Sequence, residues 1–115
     1  MPSEFPIQVG FTTRFEKDIR RLAKRYRSVQ TDVQHLIQRL EAGEIPGDQV
    51  PNLEQTVFKV RVRNSDIQKG KSGGYRVIYY LKTATQIVLI TMYSKSDRSD
   101  LAVAEIEGIL RSVQS

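Results

Sequence analysis

The segment from Lys59 to Tyr80 concentrates positive charge, with six Lys or Arg residues against a single acid, Asp66. A guanidinium can bind two phosphate oxygens at once, and an ammonium binds them as a point charge. A cluster of such groups suits the binding of a polyanion and the stabilisation of charge that develops at a reacting phosphate. The six residues are Lys59, Arg61, Arg63, Lys69, Lys71 and Arg76.

The first three of these cations alternate with Val60 and Val62. Because side chains alternate between the two faces of a strand, this pattern predicts that Lys59, Arg61 and Arg63 share one face. Their spacing of about 6–7 Å is similar to the phosphate repeat of extended RNA. Each positive neighbour also disfavours the charged form of a lysine, which makes Lys59 a candidate proton acceptor. The alternative is an edge strand that its charges keep soluble.

Lys69 and Lys71 are predicted to lie in a loop that ends in Gly73-Gly74 and leads into a strand carrying Arg76. We expect the two lysines to contact a phosphate backbone, while the glycines either offer N–H groups to a phosphate or only permit the turn. Arg76 is the leading candidate for holding a reacting phosphate, because its charge is permanent. The alternative is a structural arginine paired with an acid such as Asp97 or with the C-terminal end of a helix.

Tyr93 and Lys95 bracket the end of a later predicted strand. Tyr93 is either a platform on which a splayed base stacks or an ordinary aromatic residue at a strand end. His35, the only histidine, falls off the apolar stripe of its predicted helix and is expected at a solvated surface. With one histidine and no cysteine, disulfides are excluded and we expect no metal and no cofactor.

Two amphipathic helices are predicted after a short strand at residues 7–11. The first begins at Thr12 or Thr13, and the second begins between Ser28 and Thr31 and ends near Gly43, with Pro46 soon after. Each carries an apolar stripe at helical spacing that predicts a buried face. The stripes are Phe15, Ile19, Leu22 and Tyr26 in the first helix and Val29, Val33, Leu36, Ile37 and Leu40 in the second.

The second half of the chain is predicted to be a loop at 43–55, strands at 56–63, 75–82 and 86–93, and a final helix. The strands are rich in Val, Ile and Tyr. The helix is expected from Ser99, with Leu101, Ile106, Ile109 and Leu110 facing inward. The fold class is therefore α+β in the order β-α-α-β-β-β-α: an N-terminal strand and helical hairpin packed on a mostly antiparallel four-stranded sheet, with a C-terminal helix.

Length and charge limit the possibilities further. The 115 residues are enough for one domain, 1–115, with a single core. Eighteen basic and thirteen acidic residues give a net charge of +5, which favours an anionic partner. No apolar run approaches the ~18 residues that cross a bilayer, and the N-terminus has no signal-peptide pattern. We therefore expect no membrane partner and a cytoplasmic location.

The whole sequence, from about residue 8 to 111, resembles the RelE/ParE superfamily of toxins from type II toxin–antitoxin systems. The resemblance is carried by KVRV in the second strand, by KGKSGGYRVIYY across the next turn, and by ITMYSKSD at the end of the last strand. GKSGGYRVIYY followed by TMYSKSD is most similar to the HigB-like branch of RelE relatives.

The resemblance implies a ribosome-dependent mRNA endonuclease that works without metal or cofactor and has a cognate antitoxin as partner. In that chemistry the ribose 2′-hydroxyl attacks the adjacent phosphate and a 5′-hydroxyl leaves. Lys59, Arg61, Arg76 and Lys95 match the family's catalytic positions, with Tyr93 beside them. Arg63, Lys69 and Lys71 would bind RNA, and the first helix would dock on ribosomal RNA through Lys17, Arg20, Arg21 and Lys24.

The chain also departs from the RelE pattern. RelE has an arginine directly after the last lysine and a tyrosine early in the final segment, where this chain has Ser96 and Leu101 or Ala102. The C-terminal His-Tyr pair of another branch is missing too, so the group that takes the proton is open. Two alternatives remain: a ParE-like inhibitor of DNA gyrase, and a nucleic-acid-binding relative without catalytic activity.

Overall fold

The computed structural model describes residues 6–67 and 74–114, and within them the core is one mixed sheet of five strands. The strands are β1 (Gln8–Phe11), β2 (Asp48–Gln49), β3 (Val57–Val62), β4 (Tyr75–Thr83) and β5 (Gln86–Ser94). They lie in the order β1-β5-β4-β3-β2. β1 pairs with β5 in parallel, and every other neighbouring pair is antiparallel. The predicted α+β class and mostly antiparallel sheet are confirmed.

Three helices cover the two faces of this sheet. The helices α1 (Thr13–Ala23) and α2 (Val29–Glu41) bury their apolar stripes on one face, against residues such as Val60, Val77 and Leu89. The helix α3 (Val103–Gln114) lies on the opposite face, over Ile78 and Ile90. In the part of the chain that the structure describes, no helix combines the length and the apolar character needed to cross a membrane.

Two details of the predicted order are wrong. The predicted loop at 43–55 contains the strand β2, whose two residues pair with Lys59 and Phe58, so the described sheet has five strands rather than four. Such a short strand has no alternation of its own, because its partner and not its sequence sets its conformation. The last helix begins at Val103 rather than Ser99, because the residues before it include Asp100, whose carboxylate accepts a hydrogen bond from Lys59 of β3.

A buried carboxylate fastens α1 to β5. Asp18 is 1% exposed; its Oδ2 accepts hydrogen bonds from Thr91 Oγ1 at 2.6 Å and from the Met92 N–H at 3.1 Å. Its Oδ1 is paired with Arg21 at 3.1 Å and with Arg14 at 3.4 Å. Because all these partners surround one carboxylate, Asp18 sets the position of α1 on the sheet.

Tyr79 fastens the loop after α2 to the centre of β4. Its hydroxyl donates to the Pro46 carbonyl oxygen at 2.7 Å, and burial raises the pKa of Tyr79 to about 12. We expect Tyr79→Phe to lower the free energy of unfolding by about 1–2 kcal/mol, because the carbonyl loses its partner. Urea denaturation followed by circular dichroism measures this. The control is Tyr80→Phe, whose hydroxyl has no hydrogen bond to the described residues; equal effects would contradict the expectation.

Candidate functional site

Three sequence-predicted site residues form a row across the middle strands. The register places Arg61 of β3 opposite Arg76 of β4, and Arg76 opposite Tyr93 of β5. Paired residues of antiparallel strands lie on the same face, which here is the face that carries α3. Lys59 occupies the same face two residues before Arg61. Tyr93, at one end of the row, belongs to the buried cluster that α3 forms with the sheet, together with Leu101 and Ile106.

Arg76 is a buried cation in the middle of the row. It is 7% exposed, and its Nη1 donates to the carbonyl oxygen of Tyr75 at 3.2 Å. No carboxylate among residues 6–67 and 74–114 forms an ion pair with it. Asp97, considered as a partner from the sequence, instead binds Arg25 at 2.7 Å. A buried guanidinium without a counter-ion is a candidate site for an anion.

A carboxylate that sequence reasoning missed lies next to this row. Asp100, in the segment between β5 and α3, accepts a hydrogen bond from Lys59 Nζ at 3.0 Å and from the Leu101 N–H at 2.8 Å. The hydroxyl of Tyr93 is 3.5 Å from the same oxygen, a long contact. The hydrogen bond from Lys59, followed by that from Leu101, lowers the pKa of Asp100. The sequence prediction considered only the positive neighbours of Lys59 and did not include Asp100, its carboxylate partner.

Tyr93 is held with its ring enclosed. It is 4% exposed, and the guanidinium carbon of Arg98 lies 5.7 Å from the ring centroid. Burial raises the pKa of Tyr93, and Asp100 adds to that shift while Arg76 opposes it. In this arrangement the ring faces are covered by protein, so the hydroxyl and not a stacking surface is the group that Tyr93 presents.

Arg61 and Arg63 lie at the end of β3, beyond the residues of β3 that pair with β2. Both are exposed, and both line a cleft of about 250 Å³ between β3 and α2, together with His35 and Arg39. Arg63 follows the last residue of β3 and does not belong to the strand. His35 is exposed at this cleft, as expected for a surface residue.

A comparison with protein-family models now identifies the chain. The model described as the RelE toxin of the RelE/RelB toxin–antitoxin system matches residues 13–114, from the start of α1 to the end of α3. The chain belongs to the RelE toxin family. A search of curated proteins gives no match. Membership in a toxin–antitoxin family implies an antitoxin as the partner of this RelE-family toxin.

The positions at which this RelE-family toxin departs from the RelE pattern have other roles. Ser96 stands where an arginine is expected, and its hydroxyl lies 2.9 Å from that of Ser94. Of the two residues at the expected tyrosine, Leu101 is buried in the cluster under α3 and Ala102 is exposed. A guanidinium is nevertheless present, because Arg98 lies over Tyr93. Arg98 is held there by Glu105 at 2.8 Å and by the carbonyl oxygen of Asp100 at 3.1 Å.

The remaining predicted residues lie around the row or outside the described part. Lys95 is half-buried, and its N–H donates to the carbonyl oxygen of Gly74 at 3.0 Å, next to the start of β4. A Cβ at Gly74 would lie 2.8 Å from the Val62 carbonyl oxygen, so this glycine permits close packing of the chain. Lys69 and Lys71 lie outside the described residues.

The basic residues of α1 do not join the row. They project from a helix that packs on the opposite face of the sheet, and Arg21 is engaged with Asp18. The four residues predicted from the sequence to dock on ribosomal RNA are all exposed, and we call them the α1 basic surface: Lys17, Arg20, Arg21 and Lys24. Among the described residues, the α1 basic surface therefore lies on the opposite side of the sheet from Arg76.

Proposed function

We propose that this RelE-family toxin is a ribosome-dependent mRNA endonuclease. The observation that carries the proposal is Arg76, a buried guanidinium without a carboxylate partner among the described residues, set between Arg61 and Tyr93. A phosphate of bound RNA would supply the missing counter-ion, because its oxygens accept two parallel hydrogen bonds from an arginine.

The row suits a reaction in which RNA supplies its own nucleophile. Attack of a ribose 2′-hydroxyl on the adjacent phosphate places an additional negative charge on the phosphate oxygens. Arg76 at the centre and Arg61 and Lys59 beside it are placed to stabilise that charge. Fixed cations in a partly enclosed site act more strongly than cations in water, because little solvent screens them. The protein then contributes geometry, charge stabilisation and a proton acceptor.

The test is primer extension on mRNA from a purified translation system that contains the toxin without antitoxin. We expect breaks within codons that the ribosome occupies and no breaks in the same mRNA without ribosomes. Intact mRNA in both samples would contradict the proposal. A gyrase supercoiling assay run in parallel separates the ParE-like alternative, which predicts intact mRNA and inhibited supercoiling.

The α1 basic surface is proposed to dock on ribosomal RNA. Replacing Lys17, Arg20 and Lys24 by Gln removes three exposed charges and leaves the Arg21–Asp18 pair in place. Each lost phosphate contact reduces the salt dependence of binding, so the slope of log K against log salt should fall by about 2–3. Equilibrium binding to ribosomes at several salt concentrations measures the slope.

The control for this measurement is a variant with Lys82 and Arg111 replaced by Gln, since both are exposed and belong to β4 and α3 rather than to α1. Its slope should remain close to that of the wild type. The loss of affinity of the α1 variant should be largest at low salt, where electrostatic attraction is least screened. An unchanged slope in the α1 variant would show that this surface does not bind ribosomal RNA.

A further inference from the structure

The segment between β5 and α3 places one carboxylate, Asp100, beside the row of Arg61, Arg76 and Tyr93, where it contacts Lys59. The Oδ1 atom of Asp100 accepts hydrogen bonds from Lys59 Nζ and the Leu101 N–H, with the Tyr93 hydroxyl at 3.5 Å. Its Oδ2 atom has no hydrogen bond to the described residues, and the side chain is 64% exposed. Asp100 is therefore fixed through one oxygen and presents the other to solvent at the edge of the row.

Stability does not explain this carboxylate. An ion pair between two solvent-accessible side chains contributes little to folding. A carboxylate beside cations that bind phosphate also weakens that binding by repulsion. A role in proton transfer would explain it. Lys59 donates a hydrogen bond to Asp100, and an ammonium has no lone pair with which to accept a proton. A carboxylate oxygen has lone pairs, and Oδ2 is accessible.

We propose that Asp100 is the proton acceptor for RNA cleavage, taking the proton of the attacking ribose 2′-hydroxyl on Oδ2. This inference rests on the proposed function. As the O–H bond breaks, the 2′-oxygen forms a bond to phosphorus and the bond from phosphorus to the 5′-oxygen breaks. The 5′-oxygen takes a proton from solvent water, and Asp100 later returns its proton to solvent. The products are a 2′,3′-cyclic phosphate and a 5′-hydroxyl, with Lys59 and Arg76 stabilising the charge at phosphorus.

The charged surroundings of Asp100 keep it ready to accept a proton near neutral pH. Hydrogen bonds from Lys59 and Leu101 lower its pKa, so the carboxylate is ionised well below neutrality. The rate of cleavage should then change little between about pH 6 and 8. A lysine acceptor would instead give a rate that rises about tenfold per pH unit over this range.

The charged and titratable groups around Asp100 are Lys59 on β3, Tyr93 on β5, Arg76 on β4, Arg98 in the same segment, Asp48 on β2 and Glu105 on α3.

The experiment is single-turnover cleavage of mRNA in ribosome complexes programmed with one codon, with toxin in excess. Asp100→Asn keeps the size of the side chain and an oxygen that accepts from Lys59, but its amide does not take the proton. We expect its maximal rate to fall by about 10²–10⁴-fold. The toxin concentration that gives half the maximal rate should stay unchanged or fall, since a negative charge has been removed from a phosphate site.

Asp48→Asn is the matched control. Asp48 lines the same cavity of about 420 Å³ as Lys59 and Asp100, but its side chain has no hydrogen bond to the described residues. Its loss of charge should change the cleavage rate by less than about 2-fold, because no proton transfer depends on it.

The outcomes separate the two proposals. A wild-type protein that leaves ribosome-bound mRNA intact overturns both the endonuclease and the role of Asp100. If the wild type cleaves mRNA and Asp100→Asn cleaves it as fast or faster, the role of Asp100 as proton acceptor is overturned while the endonuclease proposal stands. Asp100 would then be a counter-ion that RNA displaces. A wild-type rate that rises steadily with pH also overturns it. A slow Asp100→Asn variant together with a wild-type rate that is flat with pH supports it.

Discussion

Replacing Arg76 by Met is expected to reduce ribosome-dependent mRNA cleavage by about 10²–10³-fold. The reason is that Met fills the space of the arginine stem but cannot bind a phosphate. The same change should leave the free energy of unfolding unchanged or raised, because the buried guanidinium has no carboxylate partner among the described residues. Single-turnover cleavage and urea denaturation measure the two quantities. A residue that is costly to folding and needed for catalysis is typical of a functional site.

Two further variants make this test specific. Arg76→Lys keeps the charge but loses the bidentate geometry, so its rate should fall between those of the wild type and Arg76→Met. Lys82→Ala removes an exposed cation from the far end of the same strand and should cleave at the wild-type rate. Cleavage by Arg76→Met at the wild-type rate would remove Arg76 from the site.

Replacing Asp18 by Ala is expected to lower the free energy of unfolding by about 3–5 kcal/mol. The substitution leaves the Thr91 hydroxyl and the Met92 N–H without their buried acceptor, and it separates Arg21 and Arg14 from their shared partner. Because domains of this size are stable by only about 5–15 kcal/mol, a large part of the stability would be lost. Urea denaturation followed by circular dichroism measures the change.

Asp97→Ala is the control for this prediction. Its ion pair with Arg25 is short, at 2.7 Å, but both side chains are about half exposed, at 51% and 42%. Solvent screens such a pair, so its loss should cost less than about 1 kcal/mol. If the two variants were equally stable, burial would not be the factor that makes Asp18 important.

Local sequence patterns were sufficient to predict the parts of the fold that depend on local chemistry. The apolar stripes of α1 and α2 are buried largely as predicted, with Phe15, Leu22, Val29 and Leu40 almost fully enclosed. Helical spacing alone determines which of these residues share a face. The strand boundaries of β3, β4 and β5 also agree with prediction to within one residue.

Features that depend on distant contacts were not predictable in this way. Asp18 lies three residues after Phe15 and four before Leu22, beside the apolar stripe of α1, but only its contacts with Thr91 and Met92 explain why an acid is buried there. Asp100 was likewise not recognised as a site residue, because its partner Lys59 is 41 residues away in the sequence. The cations of the candidate site were therefore predicted, because they lie on neighbouring strands. Its carboxylate was not, because it belongs to the segment between β5 and α3.

In the proposed reaction, this toxin cleaves mRNA with the ribose 2′-hydroxyl of the RNA as the nucleophile. The most direct measurement compares two synthetic mRNAs in ribosome complexes, one all-ribose and one with a single 2′-deoxynucleotide at the mapped cleavage position. We expect the first mRNA to be cut to give a 2′,3′-cyclic phosphate and a 5′-hydroxyl, and the second to stay intact at that position. Equal cleavage of both mRNAs would contradict it, because the nucleophile would then not come from the RNA.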